Sequence, residues 1–371
     1  MDFAFSPEQE DLRHMVRQFL DKASPETEVR RVMATERGHD PDIWRRMAAE
    51  LGLVGIAIPE RYGGAGAGVT ELGLVMQEMG RALLCAPYLA TAVLAVSALL
   101  AAADEAAQDR WLPPIAAGDL IGTVALPERL PTDPGGITAQ RGGCHWTMHG
   151  TARFVLDGHV ADLILVPATV PAGPSLFAVP GDAAGLGRRA LPTFDPTRKF
   201  AELQFSATPA TLIGPAGAAG PILGRIFDLA CVLLACEQVG VAECALDMAR
   251  DYALLRTQFG RPIGSFQAVK HKLASVLLEV EAARSAAWFG LWAADSNPAE
   301  LPAVASIAQA TCSAAAYLAA TENIQVHGGI GYTWEHPAQL YFRRATTARM
   351  WLGDPAGHYE RLYGQLRSET R

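Results

Sequence analysis

Two short stretches combine residue types that can hold an anionic, partly aromatic ligand: RTQFGRPIGSFQAVKHKLA at residues 256–274, and ENIQVHGGIGYTWEHPAQLYFRRA at residues 322–345. In the first, Arg256 and Phe259 close a long predicted helix, and Gln267 opens the next after a Gly-Arg-Pro-Ile-Gly turn. A guanidinium presents forked donors that match a diphosphate, and an aromatic beside it can cover a flat ring. In the second, Gln325 ends a helix, and Gly328 and Gly329 let a backbone approach a ligand closely. Taken singly, each stretch is equally a connector with an incidental arginine or a glycine helix cap. Their occurrence together in one helical half favours a ligand site.

Other candidate motifs lack a necessary part. GGAGAG at 63–68 has no following Lys-Ser/Thr and no strand-to-helix context, so it reads as a flexible turn. His145 and His149 share one face of a predicted strand but have no third ligand, so no metal site is expected. No GxSxG, HExxH or CxxC occurs. The six cysteines, at 85, 144, 231, 236, 244 and 312, read as buried, reduced thiols of a cytoplasmic protein.

Composition narrows the function classes. Of 371 residues, 50% are hydrophobic and 19% charged, enough for a large interior and for two or three domains. The net charge of −8 argues against nucleic-acid or anionic-membrane partners. The acidic MDFAFSPEQEDLR start is unlike a basic secretory leader. Residues 82–103 carry no charge and are long enough to span a bilayer. Pro87, the many alanines and the absence of basic flanks favour a helix buried in protein instead.

The elements needed to present these residues follow from periodicity. Ser6-Pro7-Glu8-Gln9 is a capping box that launches a helix, and Asp40-Pro41 launches another that stops at Gly52. A third is predicted from about Thr70 to Arg81. Between about Leu120 and Ala210 the helical period gives way to short β-type runs: LIGTVAL, CHWTMHG, ARFVLDG, VADLILVPA, LFAV and AELQFS. Long helices return after IGPAGAAGP, over Ile222–Leu255, Phe266–Ala294 and Pro302–Gln325, with a last segment from Pro337 onward. The expected fold is α+β: an N-terminal helical domain (1–118), a central antiparallel β domain (119–212) and a C-terminal four-helix bundle (213–371).

On RTQFGRPIGSFQAVKHKLA, QVHGGIGYTWEHPAQLYFRRA, LGLVGIAIPERYGG and the helical–β–helical order, the chain resembles the acyl-CoA dehydrogenase family essentially end to end. The resemblance implies FAD shared between subunits. Arg256 and Phe259 would hold the diphosphate and adenine half of a neighbouring subunit's cofactor, with Gln267, Gln325, Gly328 and Gly329 completing that contact. It also implies α,β-dehydrogenation of an acyl-CoA thioester. A glutamate takes the α proton and the flavin accepts the β hydride.

Two departures from the family pattern bear on that chemistry. The glutamate normally precedes a glycine near the C-terminus, where this chain has Leu352 before Gly353. Its alternative place on the long bundle helix falls at Ala230. Asp354, Asp228 and Glu237 are the nearest carboxylates; Asp228 is rotated about 200° from the required face, and Glu237 lies about 10 Å along the axis. The flavin-facing half also differs. ALPERLPTDPGG stands for a TEPxxGSD-like loop, and RFVLDG for a WITN-like strand, with Phe154 as the aromatic and Leu156 in place of a hydroxyl.

The resemblance therefore implies the base-lacking subunit of a bacterial heterotetramer acting in lipid or steroid catabolism. A paralogous subunit would supply the base, and an electron-transferring flavoprotein would take the electrons. The alternatives are a self-sufficient homodimer or homotetramer that uses Asp354 or carries out a variant reaction needing no such glutamate, and a non-catalytic scaffold.

Overall fold

The computed structural model describes residues 5–127, 136–143 and 145–369. Cys144 and residues 128–135, inside the ALPERLPTDPGG segment, lie outside the described residues. In chain order the helices α1 (Pro7–Ala23), α2 (Glu26–Met33), α3 (Pro41–Ala49), α4 (Val69–Arg81), α5 (Val96–Ala102) and α6 (Glu105–Ala116) come first. Seven strands follow: β1 (Gly122–Val124), β2 (Thr138–Gly142), β3 (His145–Leu156), β4 (Leu163–Val170), β5 (Gly173–Pro180), β6 (Leu186–Leu191) and β7 (Phe200–Ile213). After α7 (Ala219–Leu255) a two-stranded ribbon, β8 (Thr257–Gln258) and β9 (Arg261–Pro262), leads into α8 (Gln267–Ser296). The chain then forms α9 (Leu301–His327), the short α10 (Gly329–Tyr332), α11 (Ala338–Met350) and α12 (Pro355–Glu369). The order is the expected one, an N-terminal helical part, a central β part and a C-terminal helical part.

Packing separates two compact units: one holds the chain up to Arg30, Val69–Leu84 and everything from Cys231, and the other holds Arg31–Gly68 and Cys85–Ala230. In the second unit, buried aromatics find partners for their polar tips. Trp44 Nε1 donates to Gly118 O at 3.0 Å, Tyr62 OH to Gln108 Oε1 at 3.0 Å and Tyr88 OH to Leu53 O at 2.9 Å. Such pairing removes the desolvation penalty of an unmet hydroxyl or indole N–H. The uncharged 82–103 segment becomes a π-helical stretch, Leu89–Ala95, running into α5, and every residue of that stretch is buried. It is a core element, as expected.

The strands close into a ring in the order β4-β2-β3-β7-β5, with β5 returning to β4; β1 lies on β4 and β6 on β7. Ile137, Met148, Val155, Ile164, Val166, Phe177, Val179, Leu203 and Phe205 fill its interior. The sheet is not purely antiparallel, because β1 and β2 each pair parallel with β4. β2 and β3 intervene between β1 and β4, which gives the long connection a parallel pair requires. CHWTMHG and ARFVLDG form one strand, β3, whose pairing with β7 slips at Met148/His149 and at Ala152/Val155.

This unit also contains a buried histidine. His39 is 7% exposed, and burial pulls its pKa from 6.5 down to about 4. Below pH 6.5 the unfolded chain takes up a proton that folded His39 refuses. The folded state therefore loses up to roughly 3 kcal/mol as the pH falls from about 6.5 to about 4. His39→Gln should flatten that acid limb in urea titrations; an unaltered slope would exclude His39 as its source.

In the first unit, Ser6 and Gln9 cap α1 reciprocally: Ser6 Oγ accepts from Gln9 N at 3.3 Å, and Gln9 Oε1 accepts from Ser6 N at 2.9 Å. Asp295 of α8 caps α4, accepting from Val69 N at 2.8 Å and Thr70 N at 2.9 Å. α4 and α7 cross at backbone contact: a Cβ on Gly80 would stand 2.1 Å from Glu237 O, and one on Gly240 1.9 Å from Gln77 O. Only glycine permits that approach. α7 and α9 are long and apolar enough to cross a membrane, but 83% and 67% of their apolar windows are buried inside the protein. The segment from Pro337 onward, expected as one piece, breaks between Met350 and Pro355, where Leu352 and Gly353 take φ of 62° and 102°.

Candidate cofactor site

The Arg256 stretch folds as a hairpin between α7 and α8. Arg256 N donates to Tyr252 O at 2.8 Å and ends α7; Ile263 N donates to Arg256 O at 2.8 Å and closes the ribbon. Phe259 and Gly260 form the turn with φ of 51° and 76°. Two positive φ values are what a tight hairpin of this hand demands, and Asn-Gly usually meets that demand. Phenylalanine in that conformation costs about 1–2 kcal/mol. Its ring repays none of that by burial, being 92% exposed and touching Phe266 only edge-on at 6.1 Å. Arg261 lies over Phe266 at 4.2 Å, while the Arg256 guanidinium has no ion pair among the described residues. Gln267 is exposed at the start of α8.

The second stretch ends α9. Gly328 N donates to Ile324 O at 3.0 Å, and the residue adopts φ 62°, ψ −136°, a conformation open to glycine alone. Gly329 has an ordinary φ, and a Cβ there would meet nothing within 4 Å, so packing within the chain does not demand glycine. An open backbone at that point leaves room for a ligand. Gln325 is exposed on the last turn of α9.

The two stretches are tied together. Lys272 Nζ of α8 bonds Glu322 Oε2 of α9 at 2.6 Å, and the Tyr252 ring packs 4.3 Å from His327, which packs 4.2 Å from His336. An unpaired guanidinium, two exposed amides, an exposed ring and open glycine backbone form a donor set that fits a diphosphate joined to a flat heterocycle, as in FAD.

The β part presents a poorer surface for the same group. Phe154 is 55% exposed at φ 53°, on the slip in β3. Leu156 is 2% exposed and carries no hydroxyl. The nearby hydroxyl of Thr123 is buried and donates to Leu156 O at 2.6 Å. The loop at 128–135 lies outside the described residues.

None of the carboxylates singled out from the sequence stands as an unengaged base. Leu352 occupies the turn between α11 and α12, with its carbonyl 3.0 Å from His358 Nε2. Asp354 is exposed and caps α12, its Oδ1 accepting from Gly357 N at 2.8 Å. Ala230 and Asp228 are buried within α7. Glu237 is buried and paired with Arg344 of α11 at 2.8 Å.

Among the described residues no group of three or more His, Cys, Asp or Glu side chains is placed to hold a metal. In the 63–68 turn, Ala65, Gly66 and Ala67 spend their N–H groups on Gly55 O, Ile58 O and Ile56 O, leaving no anion cradle. Burial pushes the Cys236 thiol up to about 12, consistent with an inert cysteine. The sequence reading did not single out Tyr252, His327, His336 or Arg344. His327 adjoins Gly328 and was within reach of inspection, but its ring partners lie 75 and 9 positions away.

Residues 6–119 match the acyl-CoA dehydrogenase N-terminal domain, and residues 222–362 match the acyl-CoA dehydrogenase C-terminal domain. The chain is 36% identical to acyl-CoA dehydrogenase IpdE2 of Mycobacterium tuberculosis, over 97% of each chain. Among solved structures it resembles a variant of the Tcur3481-Tcur3483 steroid ACAD, with TM-score 0.87, 33% identity and 98% of each chain covered. It also resembles the ChsE4-ChsE5 complex from Mycobacterium tuberculosis, with TM-score 0.91, 29% identity and 99% of each chain covered.

Proposed function

This chain belongs to the acyl-CoA dehydrogenase family, whose members are FAD-dependent oxidoreductases, and we propose that it serves as the subunit of a heteromeric member that lends half of a flavin site to a paralogous partner and has no catalytic base of its own. The observation that carries this reading is an asymmetry. The Arg256 hairpin and the Gly328 turn offer an exposed, unpaired donor set. The β3 surface offers Phe154 and a buried Leu156, and the turn where a base is expected carries Leu352. Similarity to two solved heteromeric complexes supports the same arrangement.

FAD, when bound, supplies the acceptor for the hydride leaving the β carbon of an acyl-CoA thioester. The chain's own residues have binding roles. Arg256 would hold the diphosphate through its fork, and the Phe259 ring would cover the adenine. Gln267 and Gln325 would orient the group, and the Gly328–Gly329 backbone would admit it closely. Proton removal from the α carbon falls to the partner, since the Leu352 side chain has no lone pair to accept it.

The name of one solved relative, a steroid ACAD, extends the reading to a bulky, steroid-derived acyl group. The assembly is a cytoplasmic heterotetramer that passes its electrons to an electron-transferring flavoprotein. Flavin stoichiometry in the natively purified complex is the test. One FAD per two chains is expected, with no dehydrogenation by this chain alone. One FAD per chain, together with turnover by the isolated chain, would replace this reading with a self-sufficient homo-oligomer.

A further inference from the structure

The hairpin and the glycine turn hang from different helices, and a ligand that touches both needs them at one fixed spacing. Three rings in mutual contact sit where those helices end. Tyr252, on the last turn of α7, lies 4.3 Å from His327 with the ring planes 31° apart; His327 lies 4.2 Å from His336 at 45°. Tyr252 O receives the Arg256 amide at 2.8 Å, so the ring and the guanidinium depend on the same turn. His327 directly precedes Gly328 and is 6% exposed. His336 precedes α11.

We infer that Tyr252, His327 and His336 are positioning residues that clamp the hairpin to the glycine turn, so that a single flavin diphosphate is met by both. This inference rests on the reading of those loops as a flavin site. Each imidazole is held by a backbone bond at Nδ1. His327 Nδ1 stands 2.8 Å from Asn323 O and must donate to it. His336 Nδ1 lies 3.2 Å from Ala338 N and must accept from it, which places its proton on Nε2. Accepting at Nδ1 makes the His336 imidazole neutral, so His327 can lie 4.2 Å from it without charge repulsion.

Protonation would break the clamp in two ways. A proton on His336 Nδ1 would face the Ala338 N–H at the first residue of α11. Two imidazolium rings side by side would repel. Burial lowers the pKa of both rings, and for His336 the neighbouring His327 and Arg30 add to that effect while Glu26 opposes it. Arg30 of α2 and Arg343 of α11 lie over Trp334, two positions before His336, at 5.4 Å and 5.3 Å. The clamp is therefore closed at neutral pH and opens on acidification below the ordinary histidine range.

The test uses the natively purified complex, with flavin retention followed by absorbance after dilution from pH 8 to pH 5, and amide hydrogen exchange over residues 252–267 and 325–338. His327→Ala should raise the flavin dissociation constant about tenfold, the loss of two ring contacts, and speed exchange in both segments together. His327→Phe keeps a ring and removes the imidazolium pair, so it should retain flavin at pH 8 and lessen the acid loss; adding His336→Phe, which removes the Nδ1 facing the Ala338 N–H, should flatten it. Flavin retention by His327→Ala equal to that of the unsubstituted protein, with Arg256→Ala losing flavin, would overturn the clamp and leave the site reading standing. If Arg256→Ala also keeps its flavin, the site reading itself fails. Should His327→Ala not assemble, an unchanged acid profile in the double variant His327→Phe, His336→Phe would overturn the clamp.

Discussion

Arg256→Ala is expected to weaken flavin binding by the complex about a hundredfold, the loss of a forked, charge-assisted contact to a diphosphate. The argument starts from what the guanidinium does in the chain itself. It is exposed and has no ion pair among the described residues, so it contributes little to folding. The melting temperature of the flavin-free protein should therefore stay where it is while flavin retention falls. Arg256→Lys should recover only part of the loss, because an ammonium is a point charge without the planar fork. Flavin absorbance after gel filtration, read beside a thermal melt, separates the outcomes. Full retention in Arg256→Ala would remove the hairpin from the site.

The second large effect concerns stability. Arg344→Met is expected to cost about 3–5 kcal/mol, because it takes the guanidinium away from a carboxylate, Glu237, that stays in the interior. The two side chains are 3% and 4% exposed and meet at 2.8 Å between α7 and α11. Glu237 cannot withdraw to water, since its own carbonyl lies against Gly80 where α7 crosses α4. The next residue, Gln238, and Gln309 of α9 both donate to Ala348 O at 3.3 Å, so the same region also holds the C-terminal end of α11. Replacing both partners by apolar residues, Glu237→Leu with Arg344→Met, should recover most of the loss, as buried pairs often yield to hydrophobic isosteres. Urea denaturation of the three variants decides the matter. An additive double variant would show that the pair is not coupled.

Those two residues illustrate where sequence reading works and where it stops. Arg256 can be singled out as a candidate from the sequence because its neighbours in the chain, Phe259, Gly260 and Gln267, carry the clue with it. Arg344 cannot, because its partner is 107 positions away and the pairing exists only once α7 and α11 pack. The same contrast runs through the fold. Ser6 and Gln9 announce the start of α1 because the capping box closes within one turn, and Gly52 and Gly63, at φ 63° and 84°, end their elements locally. β2 and β6 escaped notice because TAQRG and LGRRAL are polar and mostly exposed, so they carry no alternating apolar face. Their neighbours in the sheet, not their own residues, make them strands.

The candidate site divides in the same way. The residue types, the glycine pair and the leucine at the expected base position can all be read from the amino acids in order, since each depends only on side-chain chemistry and short-range spacing. Folding decided which groups remain available. It paired Glu237 with Arg344, assigned Asp354 to a helix cap, turned Thr123 inward and left Arg256, Phe259, Gln267 and Gln325 facing solvent. It also brought Tyr252, His327 and His336 into contact. A polar side chain's role depends on whether another group has already met its hydrogen bonds, and those partners come from distant positions that only packing brings together.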